Sequence, residues 1–127
     1  MKNKKITILG GAGHIGLPLS IVFANKGFDV SILDNNKENL SLAKKGIMPF
    51  KEKDGKKNLK KALKRKLKFY SQPSNFISGS TIIITVGTPV DEFLNPDMSQ
   101  IKNCIDGLIP FLKNGQLIIV RQKGAKL

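Results

Sequence analysis

Apolar residues fall in short blocks separated by glycine, asparagine and lysine, and two kinds of spacing alternate along the chain. Ile6 to Leu9 is apolar apart from β-branched Thr7, Val30 to Leu33 is similar, and Thr81 to Val86 carries Ile82, Ile83 and Ile84 in unbroken series. Short continuous runs of this sort predict strands covered on both faces, as in parallel sheets. Between them the period changes to three and four. His14 to Lys26 sets Ile15, Leu19, Val22 and Phe23 on one side, with Pro18 near the first turn and Gly27 closing the helix. Asn35 and Asn36 can cap a helix over Lys37 to Lys45 that turns Leu40 and Ala43 inward and ends at Gly46. Ile47 to Asp54 reads as an irregular connection, with Met48-Pro49-Phe50 tucked against the domain. Lys57 to Lys66 is predicted helical, because Leu59, Leu63 and Leu67 step by four while the lysines face water.

The second half repeats the alternation. Phe69-Tyr70 is predicted as a short strand, and Gly87 to Met98 as a polar loop interrupted by Pro89 and Pro96. Ser99 or Asp97 can cap a helix from Gln100 to Leu112, with Ile101, Ile105, Leu108 and Ile109 on one face. Lys113-Asn114-Gly115 then turns the chain into a last strand, Gln116 to Val120. Strands alternating with helices define an α/β fold: a parallel sheet of about five strands in the order 3-2-1-4-5, with helices on both faces and right-handed connections.

Candidate chemistry concentrates where the first strand meets the first helix. Gly11-Ala12-Gly13-His14-Ile15-Gly16 follows an apolar strand, opens a helix, and is answered by Asp34 at the end of the next apolar run. In that context the glycine spacing reads as a dinucleotide site of the Rossmann kind. Gly11 is expected to allow the tight turn, Gly13 to let backbone approach a pyrophosphate, and Gly16 to bring helix and strands together; Gly10 lies outside the spacing. His14 is expected over phosphate or partly exposed rather than as a base, and Ile15 contributes backbone to the same turn. Asp34, with Asn35 beside it, is the candidate partner of the adenosine ribose hydroxyls and also a possible helix cap. Its charge opposes the extra phosphate of NADP and favours NAD, a preference that Lys37 softens. FAD shares the fingerprint, although nothing downstream requires a flavin. Gly87-Thr88-Pro89 stands at the carboxyl end of the fourth strand, where Thr88 can bond cofactor or phosphate, or simply stabilise the loop.

Composition narrows the class. A chain of 127 residues that is 40% hydrophobic supports one modest core. The net charge of +13 would draw acidic partners, but much of it comes from Lys51 to Lys68 and no aromatic interleaving suited to base stacking accompanies it. A solvated lysine face is the better reading, and specific nucleic acid is not expected. The first apolar run is too short for a signal peptide or a membrane span, which needs roughly 20 apolar residues. With a single Cys104, the expected setting is a reducing cytoplasm. Cys104 is read as packing within its helix. No catalytic set and no metal-ligand spacing is recognised; Asp91, Glu92 and Asp97 share a loop without converging.

The order of these pieces resembles the amino-terminal NAD-binding domain of the UDP-glucose/GDP-mannose dehydrogenase family, and within it looks most like the UDP-N-acetylmannosamine type. The resemblance rests on the glycine fingerprint followed by Leu17-Pro18, on Asp34, and on Gly46-Ile47-Met48-Pro49-Phe50. It continues through Gly87-Thr88-Pro89-Val90-Asp91, Asn95-Pro96-Asp97 and Leu117-Ile118-Ile119-Val120-Arg121. Gly87 departs mildly, standing where relatives often have valine or proline. The resemblance implies two-step, NAD-dependent oxidation of a nucleotide sugar's primary alcohol to a carboxylate, through a cysteine nucleophile that Cys104 does not match. After Arg121 the family continues through a Ser-Thr-Val-Pro-Pro-Gly-Thr-like segment, whereas this chain reads Gln122-Lys123-Gly124-Ala125-Lys126-Leu127. The expectation is therefore an NAD-binding domain over residues 1–121 with a basic tail over 122–127, lacking the sugar-binding and catalytic half. Alone it would be inactive and inclined to self-association, or completed by a separate catalytic chain. Other readings are a different Rossmann module, such as a 6-phosphogluconate or 3-hydroxyacyl dehydrogenase relative or a redox sensor, and a basic nucleic-acid-binding or structural protein.

Overall fold

The computed structural model describes residues 4–85 and 99–121. Five parallel strands, β1 (Lys5–Leu9), β2 (Asp29–Leu33), β3 (Leu67–Tyr70), β4 (Thr81–Ile84) and β5 (Ile118–Val120), lie in the order β3-β2-β1-β4-β5. The helices are α1 (Gly16–Asn25), α2 (Lys37–Lys44), α3 (Gly55–Leu63) and α4 (Ser99–Leu108), with short 3-10 turns at Asn75–Ile77 and Ile109–Phe111. Strand order and parallel pairing are those the hydrophobic pattern predicts.

Period-two alternation splits the core across the sheet. Ile6, Ile8, Val30, Ile32 and Ile83 point to the layer that also holds Leu17, Ile21, Leu40, Leu59 and Ala62. Leu9, Leu33, Ile82 and Ile84 point the other way, against Ile77 and Leu108. Thr7, fully buried on that second face, shares a 2.8 Å hydrogen bond between its hydroxyl and that of Ser80, so its polar atom does not cost the core.

Several boundaries differ from the sequence reading. α1 starts at Gly16 rather than His14, which leaves Pro18 in the first turn, where its missing N–H needs no partner. Its sheet-facing residues are Leu17, Ser20, Ile21 and Ala24, while Val22 is exposed. The helix is apolar nearly all round, because Leu19 and Phe23 pack partly buried at the side, and periodicity alone does not select the face. Gly27 (φ +98°) closes it as expected: Gly27 N–H donates to Ala24 O (3.0 Å) and Phe28 N–H to Phe23 O (3.1 Å). The two phenyl rings meet edge to face at 5.3 Å, completing a Schellman closure.

α3 runs from Gly55 to Leu63, so Leu67 is not the next rung of its stripe but the buried first residue of β3. The leucine step of four continues by accident across the helix end. The single helix expected from Gln100 to Leu112 stops at Leu108, because Pro110 follows and the chain tightens into a 3-10 turn that leaves Ile109 exposed. β5 is shorter than expected, and Leu117, Ile118, Ile119 and Val120 are all exposed at the sheet edge.

Candidate functional site

β2 and β3 lie to one side of β1, β4 and β5 to the other, so the strand order reverses between β1 and β4. Sheets of this kind open a crevice at the carboxyl ends of those two strands. Thr85 ties the ends together, its N–H and its hydroxyl both donating to Leu9 O, at 2.9 and 2.5 Å.

The chain leaves β1 through Gly10, whose φ of +75° suits glycine and few other residues. Its N–H donates to Leu33 O (2.9 Å), and its own carbonyl accepts Gly13 N–H (3.1 Å). The left-handed residue of the turn is therefore Gly10, which lies outside the fingerprint spacing. Gly11 is needed for room: a Cβ there would lie 2.7 Å from Ile32 Cγ2 and 2.9 Å from Ile8 O. Gly16 brings α1 against the turn, since a Cβ on it would run into Gly10 O and come within 2.7 Å of Gly11 Cα. Gly13 is different. Among the described residues a Cβ there would meet only Gly10 O, at 3.4 Å, with open space otherwise.

Helix geometry takes up Gly13 O with the N–H of Leu17 (2.9 Å) and leaves the N–H groups of His14, Ile15 and Gly16 without an acceptor among the described residues. The His14 ring is exposed and stacks on Phe50 at 4.3 Å and 22°, so the connection after α2 passes beside the turn. Asp34 is half-buried. Its Oδ2 accepts Ala12 N–H at 3.0 Å and its Oδ1 accepts Asn36 N–H at 2.9 Å. The cap of α2 is Asn36, accepting Asn39 N–H at 3.0 Å, while Asn35 is exposed and uncommitted beside it.

A crevice of about 240 Å³ opens next to Gly10, Asp34 and Asn35, walled opposite by Gln72, Pro73 and Cys104. Burial, and secondarily the negative charge of Asp34, pushes the Cys104 thiol pKa above its ordinary value. Cys104 packs against the second core layer as the sequence suggested, and it also lines this crevice. Gly87, Thr88 and Pro89 lie outside the described residues. Among the described residues no group of three His, Cys, Asp or Glu is placed to hold a metal, and no helix is long and apolar enough to cross a membrane.

Residues 4–123 match the UDP-glucose/GDP-mannose dehydrogenase family, NAD binding domain. The chain belongs to this family. It is 33% identical over 113 residues to the UDP-glucose 6-dehydrogenase of Rickettsia prowazekii, covering 87% of this chain and 26% of that protein. It is 30% identical over 121 residues to the UDP-N-acetyl-D-mannosamine dehydrogenase of Methanococcus maripaludis, covering 92% of this chain and 28% of that one. The solved UDP-N-acetyl-mannosamine dehydrogenase of Staphylococcus aureus superposes with a TM-score of 0.86 at 33% identity, over 96% of this chain and 29% of the other. The chain thus spans little more than a quarter of the length of these relatives. UDP-glucose and UDP-N-acetylmannosamine enzymes both stand among these relatives.

Membership in an NAD-binding domain family makes NAD the cofactor, and the geometry suits its charged centre. Three amides at the positive end of α1, unpartnered among the described residues, border the open space at Gly13, with no acidic side chain in the helix's first turn to repel an anion. Asp34 spends two of roughly four lone-pair sites on backbone amides, which leaves capacity for ribose hydroxyls. Two residues of the site escaped the sequence reading. Thr85 ends an apolar strand without any spacing signal, and Asn39 sits in a helical stretch where asparagine suggests only a local cap.

Proposed function

We propose that this chain supplies the NAD site of a nucleotide-sugar dehydrogenase that oxidises the primary alcohol of a UDP-sugar to a carboxylate. On this reading the His14, Ile15 and Gly16 amides receive the pyrophosphate, with Gly13 leaving it room and Gly11 and Gly16 letting β2 and α1 pack closely against the turn. Asp34, with Asn35 adjacent, accepts from the adenosine ribose hydroxyls, and its carboxylate disfavours a 2′-phosphate. Gly87, Thr88 and Pro89 follow β4 in sequence and are assigned to the same cofactor. Bound NAD supplies the hydride acceptor. Sugar recognition and the cysteine chemistry are assigned to a further domain of the kind that the longer relatives have length for, so the chain alone is expected to bind NAD without turnover.

The observation that carries this reading is the set of three amides without an acceptor among the described residues, beside the space at Gly13 and next to a carboxylate held at the end of β2. Thermal unfolding with NAD, ADP-ribose and NADP tests it. At a hundredfold excess over Kd, NAD stabilises by about 2.7 kcal/mol, a rise of roughly 10 °C for a chain of this size. ADP-ribose is expected to follow NAD, with NADP well behind. A cooperatively unfolding sample whose midpoint ignores NAD and ADP-ribose overturns the proposal.

A further inference from the structure

Ala12, the one alanine inside the glycine turn, is fully buried, and side chains entering α2 grip its peptide groups on both sides. Its N–H donates to Asp34 Oδ2 (3.0 Å), and its carbonyl accepts Asn39 Nδ2 (3.1 Å). The two grips close into a ring: Asp34 Oδ1 accepts Asn36 N–H, and Asn36 Oδ1 accepts Asn39 N–H. In an ordinary capping box the third helical residue reaches back to the N-cap amide. Here Asp34 already holds that amide, so Asn39, the third residue of α2, is released to reach across to the turn.

We propose that Asn39 is a positioning residue for the cofactor's pyrophosphate, acting through the carbonyl of Ala12 on the amides that follow it. A peptide unit is planar, so a donor fixed on Ala12 O also fixes the direction of Gly13 N–H, which is held at its far end by Gly10 O. With that plane pinned, the chain enters the His14–Gly16 segment in one orientation. Without Asn39, the buried Ala12 carbonyl loses its donor and the plane is held from one side only. Ala12 itself offers no side chain for this task, and no sequence pattern places a contact 27 residues away.

This inference rests on the NAD-binding reading, and its test separates the two. Wild type, Asn39→Ala and Asn39→Leu are compared as full chains, the leucine keeping the side-chain volume without a donor. Affinities for NAD and ADP-ribose are measured by calorimetry and for adenosine by NMR titration, with urea unfolding alongside. Loss of one positioning hydrogen bond is expected to weaken NAD and ADP-ribose about tenfold, to leave adenosine within twofold, and to be largely recovered in Asn39→Gln, which restores an amide donor. Failure of wild type to bind NAD refutes the cofactor reading itself. Given wild-type binding, three results overturn the positioning role: unchanged NAD affinity in both variants, equal losses for NAD and adenosine, or failure of both variants to fold.

Discussion

The glycines of the turn make separable contributions, and single methyl groups distinguish them. In Gly13→Ala the new Cβ meets one atom among the described residues, Gly10 O at 3.4 Å, and Gly13 is not among the residues with positive φ. The substitution therefore restricts the unfolded chain at little cost to the folded one, and the net change in stability should stay within about 1 kcal/mol of zero. In the complex the same methyl occupies the space assigned to the pyrophosphate, so NAD affinity should fall at least tenfold, about 1.4 kcal/mol. Gly16→Ala inverts the pattern. Its Cβ runs into the backbone of Gly10 and Gly11, which has no rotamer with which to move aside, and destabilisation of about 1–3 kcal/mol or more is expected. Urea unfolding reads the first quantity and calorimetric titration with NAD the second. If Gly13→Ala binds NAD as wild type does, the open space at Gly13 is not where the cofactor lies. If it unfolds more readily than Gly16→Ala, the steric argument fails at its root.

Asp34→Ala should leave the buried Ala12 N–H without its acceptor and destabilise the chain by about 1–3 kcal/mol; in titrations it should also weaken NAD and narrow the gap to NADP. Cys104, with its thiol pKa raised by burial and by Asp34, is mostly protonated at pH 7, and thiolate is the reactive form. Alkylation by iodoacetamide should therefore be slower at pH 7 than for a free thiol and rise nearly tenfold per pH unit up to about pH 9, with NAD slowing it at every pH by filling the crevice; a flat pH profile contradicts the shift. The exposed edge at Leu117 to Val120 should make the chain self-associate as concentration rises. Leu117→Lys together with Ile119→Lys should suppress this in sedimentation runs while shifting the urea midpoint little.

The architecture was legible because parallel strands write themselves as unbroken apolar runs, and the turn residues between them are few. Ile82 to Ile84 admits one interpretation, and a glycine fingerprint with an acidic residue after the next strand ties two strand ends to one ligand. Structure departs from pattern where two signals fall on the same stretch. Leu67 continues the leucine stripe of α3 yet opens β3, because a step of four is compatible with a helix that has already ended. Pro110 lies within the apolar spacing that predicts a helix to Leu112, yet a missing N–H ends a helix more surely than a hydrophobic face extends one. The fingerprint counts from Gly11, whereas the positive φ that the turn requires falls on Gly10, which the spacing does not include.

Asp34 shows why the site is more than a motif. A carboxylate at the end of β2 would satisfy the fingerprint anywhere within reach of a ribose, but here both of its oxygens are already engaged, one with the turn and one with the entry to α2. Those bonds hold the turn and α2 in one relation before any ligand arrives, and Asn39 adds the return link from α2 to Ala12. Binding then need not meet the entropic cost of ordering the loop, which otherwise subtracts from affinity. The same economy explains why the acidic residue and the glycines cannot be weighed separately. Removing Asp34 deprives the ribose of its acceptor and also loosens the amides assigned to the pyrophosphate. An Asn39 variant, which loosens the amides while leaving the acceptor in place, is the substitution that separates the two.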